Sequence, residues 1–363
     1  MLTYHKMTRP LVSVIAVSYN HEKWVTDCLE SISNQTLKDF ELIYADDGSK
    51  DATVCRAVKW LDRYHPNAKR IIHSTNRGLC ATLNEAFSCA EGAFVQLLAC
   101  DDRLEMDKLE KQVHYLSQAP GDLGFVFGNF GVIDCEGQVL KDISYSPRAR
   151  PPQDMLSQVL DPKPGRPSIC MLTVLFRKVI LDRVFPLDET LSFEGIQIWT
   201  KLLSQGTRGA YFPERLAWYR LVPNSLSRDT VLRRQVWEDL VRFIEGNLSD
   251  GLLSAWSGAL RRRLQKTLYM LLRDAAMQRD EERFRTWLEK YKAHFGGTLK
   301  SLYTLLMNLD GDRDMVRWVL RCSPLAEDPN RWVYPLLRMR LDFMRMLRWT
   351  TRKLTGCLRR CCG

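Results

Sequence analysis

Two pairs of adjacent carboxylates stand out by type and spacing: Asp46-Asp47, inside Asp46-Asp47-Gly48-Ser49, and Asp101-Asp102. A third polar cluster, Ser18-Tyr19-Asn20, precedes both. Carboxylates crowded together repel and raise one another's pKa unless a cation sits among them. Hard oxygen donors suit Mg²⁺ or Mn²⁺, and these ions in turn bind a diphosphate. Tyr19 offers a ring on which a base can stack, and Asp47 a carboxylate that can accept a base N–H. Each cluster also has a plainer reading, because strand ends carry Asp and Asn as turn residues and helix caps. Three such clusters in register weigh against it.

The segments between them must do the positioning. Leu11–Val17 is a short apolar run that reads as a buried strand, and Lys23–Ser33 is a helix with apolar positions at Trp24, Val25, Cys28, Leu29 and Ile32. Further strands over Phe40–Ala45, Arg70–His73, Ala93–Leu98 and Phe125–Phe130 alternate with helices near Ala52–Tyr64, Leu79–Ala90 and Leu104–Leu116. This alternation predicts an α/β fold, a mostly parallel sheet with helices on both faces. Ligands of such sheets bind beyond the carboxyl ends of the strands. The three clusters follow strands one, two and four, so they are expected at one edge. Residues 143–168, rich in Pro, Arg and Ser, are expected to form a long loop over the site. Strand and helix signals resume over Ile169–Tyr219, with a helix near Ile196–Ser204, and after about residue 228 the pattern is helical. The expected division is an α/β domain over 1–228, an all-helical domain over 229–330 and a basic amphipathic helix over 331–363.

With 45% hydrophobic and 26% charged residues in 363, the chain has a globular composition, which excludes disordered and fibrous classes. The net charge of +10 is concentrated at one end, where residues 331–363 hold nine Lys and Arg against the single acid Asp342. A local anionic partner such as a membrane surface fits that distribution better than nucleic acid does. On a helical wheel over 336–360, Leu336, Met339, Phe343, Met346, Leu347, Thr350, Leu354 and Leu358 fall on one half. Arg338, Arg345, Arg348, Arg352, Arg359 and Arg360 fall on the other. The pattern fits a helix lying in an anionic interface, or one docking its apolar face on the preceding helices. Cys357, Cys361 and Cys362 lie beside these basic residues as candidate acylation sites. Eleven cysteines at irregular spacings, without a CxxC pair, point to reduced thiols in a cytosolic setting. With neither a signal-peptide core nor about 18 uninterrupted apolar residues, the expected location is cytoplasmic, peripheral at the inner membrane face. His21, His65 and His73 have no partner at metal-ligand spacing and are expected to be structural or surface residues. No Ser-His-Asp order, zinc motif or P-loop occurs.

Residues 11–53, LVSVIAVSYNHEKWVTDCLESISNQTLKDFELIYADDGSKDAT, resemble the opening of the family 2 glycosyltransferases of the GT-A fold. The likeness continues through Asn76-Arg77-Gly78-Leu79, Asn84, Ala90-Glu91-Gly92, LLACDDRLEMDKLEKQV and GNFGVIDCEG. It extends more loosely to FPLDETLSFEGIQIWTKLLSQG and Tyr219-Arg220, so that it spans roughly residues 10–228. It implies transfer of a sugar, with inversion, from a nucleotide-diphosphate donor to a hydroxyl of a glycan or lipid-linked acceptor in cell-surface polysaccharide synthesis, with a UDP-sugar as the expected donor. By the same resemblance Tyr19 and Asp47 hold the base, and Ser18, Asn20, Glu22, Asp46 and Arg77 complete the nucleotide contacts. Asp101 contacts the ribose and, with Asp102 as the first-choice ligand, binds Mn²⁺ or Mg²⁺. The motif departs from the family's Asp-x-Asp-Asp at Ala99, and from its Glu-Asp pair at Gly195, leaving Glu194 as the expected catalytic base. As the first-turn acid of a helix, Glu194 also has a purely structural reading. The two departures motivate the alternative of a non-catalytic nucleotide-sugar-binding or assembly protein.

Overall fold

The computed structural model of the chain describes residues 9–143, 152–161, 169–222, 230–249, 253–296 and 318–319. Strand β1 (Val12–Ser18) is buried at all seven positions, as a strand covered on both faces must be. Helix α1 (Val25–Ser33) buries Val25, Cys28, Leu29 and Ile32, one face at helical spacing. The alternation continues through β2 (Phe40–Asp46), α2 (Thr53–Tyr64), β3 (Lys69–Ile72), α3 (Leu79–Ser88) and β4 (Phe94–Ala99). After these come β5 (Arg103–Leu104), α4 (Lys108–Gln118), β6 (Leu123–Ile133), β7 (Val139–Ile143) and α5 (Pro152–Leu160). The elements β8 (Leu175–Arg177), α6 (Lys178–Leu181), α7 (Gly195–Ser204) and β9 (Arg208–Arg220) follow, and then the helices α8 (Thr230–Ser249), α9 (Ser257–Gln278) and α10 (Glu281–Phe295).

One mixed sheet runs in the order β3-β2-β1-β4-β8-β6-β9-β5, with β7 paired to β6. The half from β3 to β4 is parallel throughout, as the strand–helix alternation implies. From β8 onward antiparallel pairs enter, and β6 and β9 form one long parallel pair from Leu123↔Arg208 to Ile133↔Arg220. This is an α/β sheet with a parallel half and a mixed half, followed by a helical region.

Two expected elements differ. A helix beginning at Leu104 is displaced to Lys108, because Arg103 and Leu104 pair with Trp218 and Ala217 as β5 instead. The stretch 143–168 is not a continuous loop: α5 occupies Pro152–Leu160, with Pro at its first position and Met155, Leu156 and Leu160 buried. Proline is compatible with a helix there because its missing N–H would have had no intrahelical partner.

The chain forms two compact units, Met1–Leu260 and Arg261–Gly363. Helix α8 belongs to the first, where Ser192 N–H donates to Asp239 (3.0 Å) and Arg242 to the Thr190 carbonyl (3.1 Å). In the second, Asp280 caps α10 by accepting from Arg283 N–H, and Gln265 donates to the Tyr291 hydroxyl at 2.7 Å. No helix among the described residues is long and apolar enough to cross a membrane. The basic segment 336–360 and its cysteines lie outside the described residues.

Candidate active site

Register brings the three polar clusters to one edge. Ser18 pairs with Asp46 across β1 and β2, and Val17 pairs with Ala99 across β1 and β4. The ladder runs one step further on each side, with Asp47 N–H donating to the Ser18 carbonyl (2.9 Å) and Cys100 N–H to the Val17 carbonyl (2.8 Å). Asp46-Asp47, Ser18-Tyr19-Asn20 and Asp101-Asp102 therefore leave the sheet side by side.

Hydrogen bonds then fix the loops. Asp46 is fully buried and accepts from Ser18 Oγ (2.7 Å), Ser49 N–H (2.8 Å) and Ser49 Oγ (2.7 Å), which makes it the organiser of its own turn. Asn20, at φ 56°, accepts from Lys50 N–H through Oδ1 at 2.8 Å, and its own N–H donates to Ser49 Oγ at 2.8 Å. Asn is among the few residues that tolerate this left-handed region. One step on, Glu22 accepts from Ala52 N–H (3.0 Å) while its N–H donates to Asp51 (3.2 Å). Zipping the two loops together leaves Tyr19 on the outside, 40% exposed. Asp47 accepts from the N–H groups of Arg77 (2.7 Å) and Gly78 (3.0 Å) and so pins the loop after β3. That loop passes so close that a Cβ on Gly48, at φ +74°, would meet the Thr75 carbonyl carbon at 2.4 Å.

The acid pair sits on a different support. Asp102 accepts from Arg220 N–H at 2.8 Å, and Arg220 Nε donates to the Asp101 carbonyl at 2.8 Å. The rest of the guanidinium spans the carbonyls of Asp134 (3.2 Å) and Cys135 (3.3 Å) and the carboxylate of Asp27. Burial and the neighbouring Asp101 charge hold the Asp102 carboxyl well above the usual range, and Arg220 only partly offsets them. Asp101 carries its Oδ2 4.0 Å from His21 Nε2, while His21 Nδ1 is buried with no hydrogen-bond partner. Among the described residues no group of three or more His, Cys, Asp or Glu is arranged to hold a metal. The resemblance reaches Tyr219-Arg220 but gives Arg220 no role, because that role depends on β9 returning to the acid pair. The signal available in sequence is an arginine ending a strand (Tyr219-Arg220), where a buried cation needs acid partners.

Glu194 is the N-cap residue of α7, its carbonyl accepting from Ile198 N–H. It keeps some solvent contact, yet enough protein surrounds the carboxyl that burial raises its pKa, an effect partly offset by the N–H groups of Glu194 and Gly195. The Cys170 thiol is pushed up by burial first, then by the charge of Asp102, and to a smaller extent by Glu194. A Cβ on Gly195 would meet only Met171 Cε, at 3.9 Å, and Ala99 is exposed at the edge. Of His21, His65 and His73, His65 contacts Ser33 Oγ at 3.1 Å, away from this edge, while His21 and His73 lie beside Asp101 and Asp47.

Comparison with known proteins fits this geometry. Residues 13–184 match the model of glycosyl transferase family 2. EpsE of Bacillus subtilis, named as a glycosyltransferase, is 31% identical over 215 residues, covering 57% of this chain and 72% of EpsE. WfgD of Escherichia coli, a UDP-Glc:α-D-GlcNAc-diphosphoundecaprenol β-1,3-glucosyltransferase, is 27% identical over 242 residues, or 66% of this chain and 88% of WfgD. The crystal structure of residues 1–349 of TarS from S. aureus, in complex with UDP-GlcNAc, superposes with a TM-score of 0.57. It is 18% identical, covering 84% of this chain and 83% of that one, and shares the fold. The chain belongs to glycosyl transferase family 2 and is a glycosyltransferase of the GT-A fold.

Proposed function

We propose that the protein transfers a sugar from a UDP-sugar to a hydroxyl of a glycan or lipid-linked acceptor, with inversion, in cell-surface polysaccharide synthesis. The observation that carries the reading is the convergence of Tyr19, Asp47 and the Asp101-Asp102 pair at one sheet edge. WfgD, which uses UDP-Glc and a diphosphoundecaprenol-linked acceptor, supports the donor and acceptor classes.

Tyr19 is exposed to stack on the base, and Asp47 is held beside it by two backbone N–H groups. Ser18, Asn20, Glu22, Asp46 and Arg77 shape this half, Asn20, Glu22 and Asp46 by bonding the two loops and Arg77 by presenting a cation to the phosphates. The residues fit a divalent ion: burial and the Asp101 charge raise the proton affinity of Asp102, which a cation relieves, and Mg²⁺-type sites take one or two carboxylates plus substrate phosphates. Asp101 and Asp102 would hold Mg²⁺ or Mn²⁺. Asp102 already spends one oxygen on Arg220 N–H, so Asp101 is the better candidate for direct contact. When bound, the ion supplies charge neutralisation at the departing diphosphate. Glu194 accepts the acceptor hydroxyl proton as the new glycosidic bond forms; its raised proton affinity suits it to that task. The absence of an acid at Ala99 and Gly195 favours a second reading, a nucleotide-sugar-binding protein without turnover. Residues 336–360 provide the contact with an anionic membrane at its cytoplasmic face.

Calorimetric titration with UDP, with and without Mn²⁺, tests the donor site. Metal-dependent binding lost in Asp101→Asn supports it, and binding of no nucleotide by the intact chain overturns it. Binding without turnover of any UDP-sugar favours the second reading.

A further inference from the structure

The base-recognising carboxylate is one member of a closed circuit that the proposed activity leaves unused. His73 follows β3 and is fixed by its N–H, which donates to the Asp46 carbonyl at 3.0 Å. Its ring is 7% exposed and lies between two carboxylates, with Nδ1 3.4 Å from Asp47 Oδ1 and Nε2 3.0 Å from Glu85 Oε2. Glu85 Oε2 also accepts from Arg77 Nη1 at 2.9 Å, and Arg77 N–H donates to Asp47 Oδ1 at 2.7 Å. The path runs from Asp47 through His73, Glu85 and Arg77 back to Asp47. Thr82 Oγ1, 3.4 Å from Nδ1 and 3.1 Å from the Gly78 carbonyl, braces the ring from α3.

We infer that His73 and Glu85 are positioning residues for base selection: they hold the Asp47 carboxylate in the one orientation from which it can accept a base N–H, and tie that orientation to Arg77. The inference rests on the proposed role of Asp47 in binding the nucleotide. The physical reason lies in how little else orients the group. Two backbone N–H groups bind Asp47 from the Arg77–Gly78 side, one to each oxygen. His73 is the described side chain that bonds it from elsewhere. Carboxylates only accept, so each ring contact requires an N–H, and the form that makes both contacts carries a proton on each nitrogen. Glu85 is 43% exposed and Arg77 50%, so the circuit is closed at the surface, where a nucleotide would meet it. A ring nearly buried between two acids, at a loop whose backbone already clasps Asp47, is better explained by orienting that acid than by core packing.

The test is base selectivity. Titrate the full-length protein and its variants with UDP and CDP in the presence of Mn²⁺. Uracil offers an N–H to Asp47 where cytosine offers a bare acceptor, so orientation of Asp47 sets the ratio of the two affinities. His73→Ala is expected to weaken UDP by about tenfold, the scale of one hydrogen bond to a charged group, and CDP much less. His73→Asn, whose amide nitrogen falls near the Nδ1 position, should restore most of the ratio. His73→Gln, which reaches toward Glu85 instead, should not. A substitution that merely loosens the fold weakens both nucleotides alike. An unchanged UDP-to-CDP ratio in His73→Ala, or Asn performing no better than Gln, overturns the inference. If His73→Ala fails to fold, the Asn and Gln pair decides on its own. A parent protein that does not distinguish UDP from CDP removes the base reading itself, an outcome separate from failure of the circuit.

Discussion

Replacing Arg220 by Met retains much of the side chain's length and removes the fork that holds the acid pair. The Asp101 carbonyl loses its donor outright and the Asp27 carboxylate loses its guanidinium, whereas the Asp134 carbonyl keeps Gly137 N–H (3.1 Å) and the Cys135 carbonyl keeps Trp24 Nε1 (2.9 Å). These losses are unequal. Asp27 is 39% exposed and has Arg103 at 3.7 Å, so its charge returns to water at little cost. Asp134 and Cys135 are half-buried, and water can replace part of what they lose. The Asp101 carbonyl belongs to a buried residue and bears the penalty of about 1–3 kcal/mol for an orphaned acceptor, to which the weakened bonding at Asp134 and Cys135 adds. The bond from the Arg220 N–H to Asp102 survives because it belongs to the backbone. Together these give a destabilisation of about 3 kcal/mol, at the lower edge of what breaking a buried ion pair costs. For a unit of this size that is a fall in Tm of roughly 6–12 °C. Arg220→Lys keeps the charge but reaches fewer of the acceptors, and should recover less than half of the loss. Thermal unfolding followed by circular dichroism measures both. A Met variant melting within about 2 °C of the parent, or a Lys variant indistinguishable from it, refutes the assignment of Arg220 as the anchor of the acid pair.

Glu194→Gln should lower kcat by about 10²–10⁴-fold with donor binding retained, and unchanged turnover removes Glu194 as the base. Burial raises the Glu194 pKa, so in the parent the base form accumulates only as pH climbs through that raised value. The acidic limb of the rate profile should therefore lie above the ordinary glutamate range, checked by kcat/KM against pH. The same shift favours the protonated folded state below the unfolded pKa and is lost as pH rises. The Gln variant should accordingly melt no lower than the parent at neutral pH, with any advantage fading in acid. Asp101→Asn should abolish metal-dependent UDP binding with little change in Tm, whereas Asp102→Ala should also lower Tm, because it leaves the buried Arg220 N–H without its acceptor; calorimetry and melting separate the two. Gly195→Asp should fold with Tm within about 3 °C of the parent, since its Cβ meets only Met171 Cε at 3.9 Å, and a larger loss contradicts the open space there. The intact chain should float with anionic vesicles but not neutral ones, and deletion of residues 336–360 should abolish flotation; failure of the intact chain to float removes the membrane contact.

The parallel half of the sheet is legible because its signals are local. Seven apolar or small residues from Val12, a helix burying Val25, Cys28, Leu29 and Ile32, and polar residues after each strand suffice to put the clusters on one edge. What local pattern does not carry is the second half, where pairing is made at a distance. Leu104 fits a helix by periodicity, but pairing with Ala217, more than a hundred residues away, makes it a strand. The helix in 152–160 is masked by a Pro-rich composition although its proline stands at the one helical position that accepts it. Arg220 falls in a motif of the resemblance that names no role for it, and His73 carries no motif. Each acquires its role from a carboxylate on another element: Asp102 after β4 for the first, Asp47 after β2 for the second. Sequence order does not predict such pairings.

The acids of this edge divide into two kinds, and the division explains where the chain departs from its family. Asp46, Asp47 and Asp102 each accept from backbone N–H groups, so that a turn, a loop or the end of β9 depends on them. Replacing any of them costs structure before it costs chemistry. Ala99 and Gly195, where many members carry a further acid, are the reverse: Ala99 is exposed, and a Cβ at Gly195 would find open room. Losing a carboxylate at such positions takes nothing from the fold and alters only what the site presents to its ligands. Glu194 stands between the two kinds, its carbonyl joined to the first turn of α7 and its carboxyl raised by burial. On the function proposed above, a chain that lacks acids at Ala99 and Gly195 while keeping Asp101 and the structural acids retains the donor platform and narrows the chemistry at the acceptor side to one carboxylate. The reaction as proposed requires one base and one cation, and the arrangement supplies a place for each.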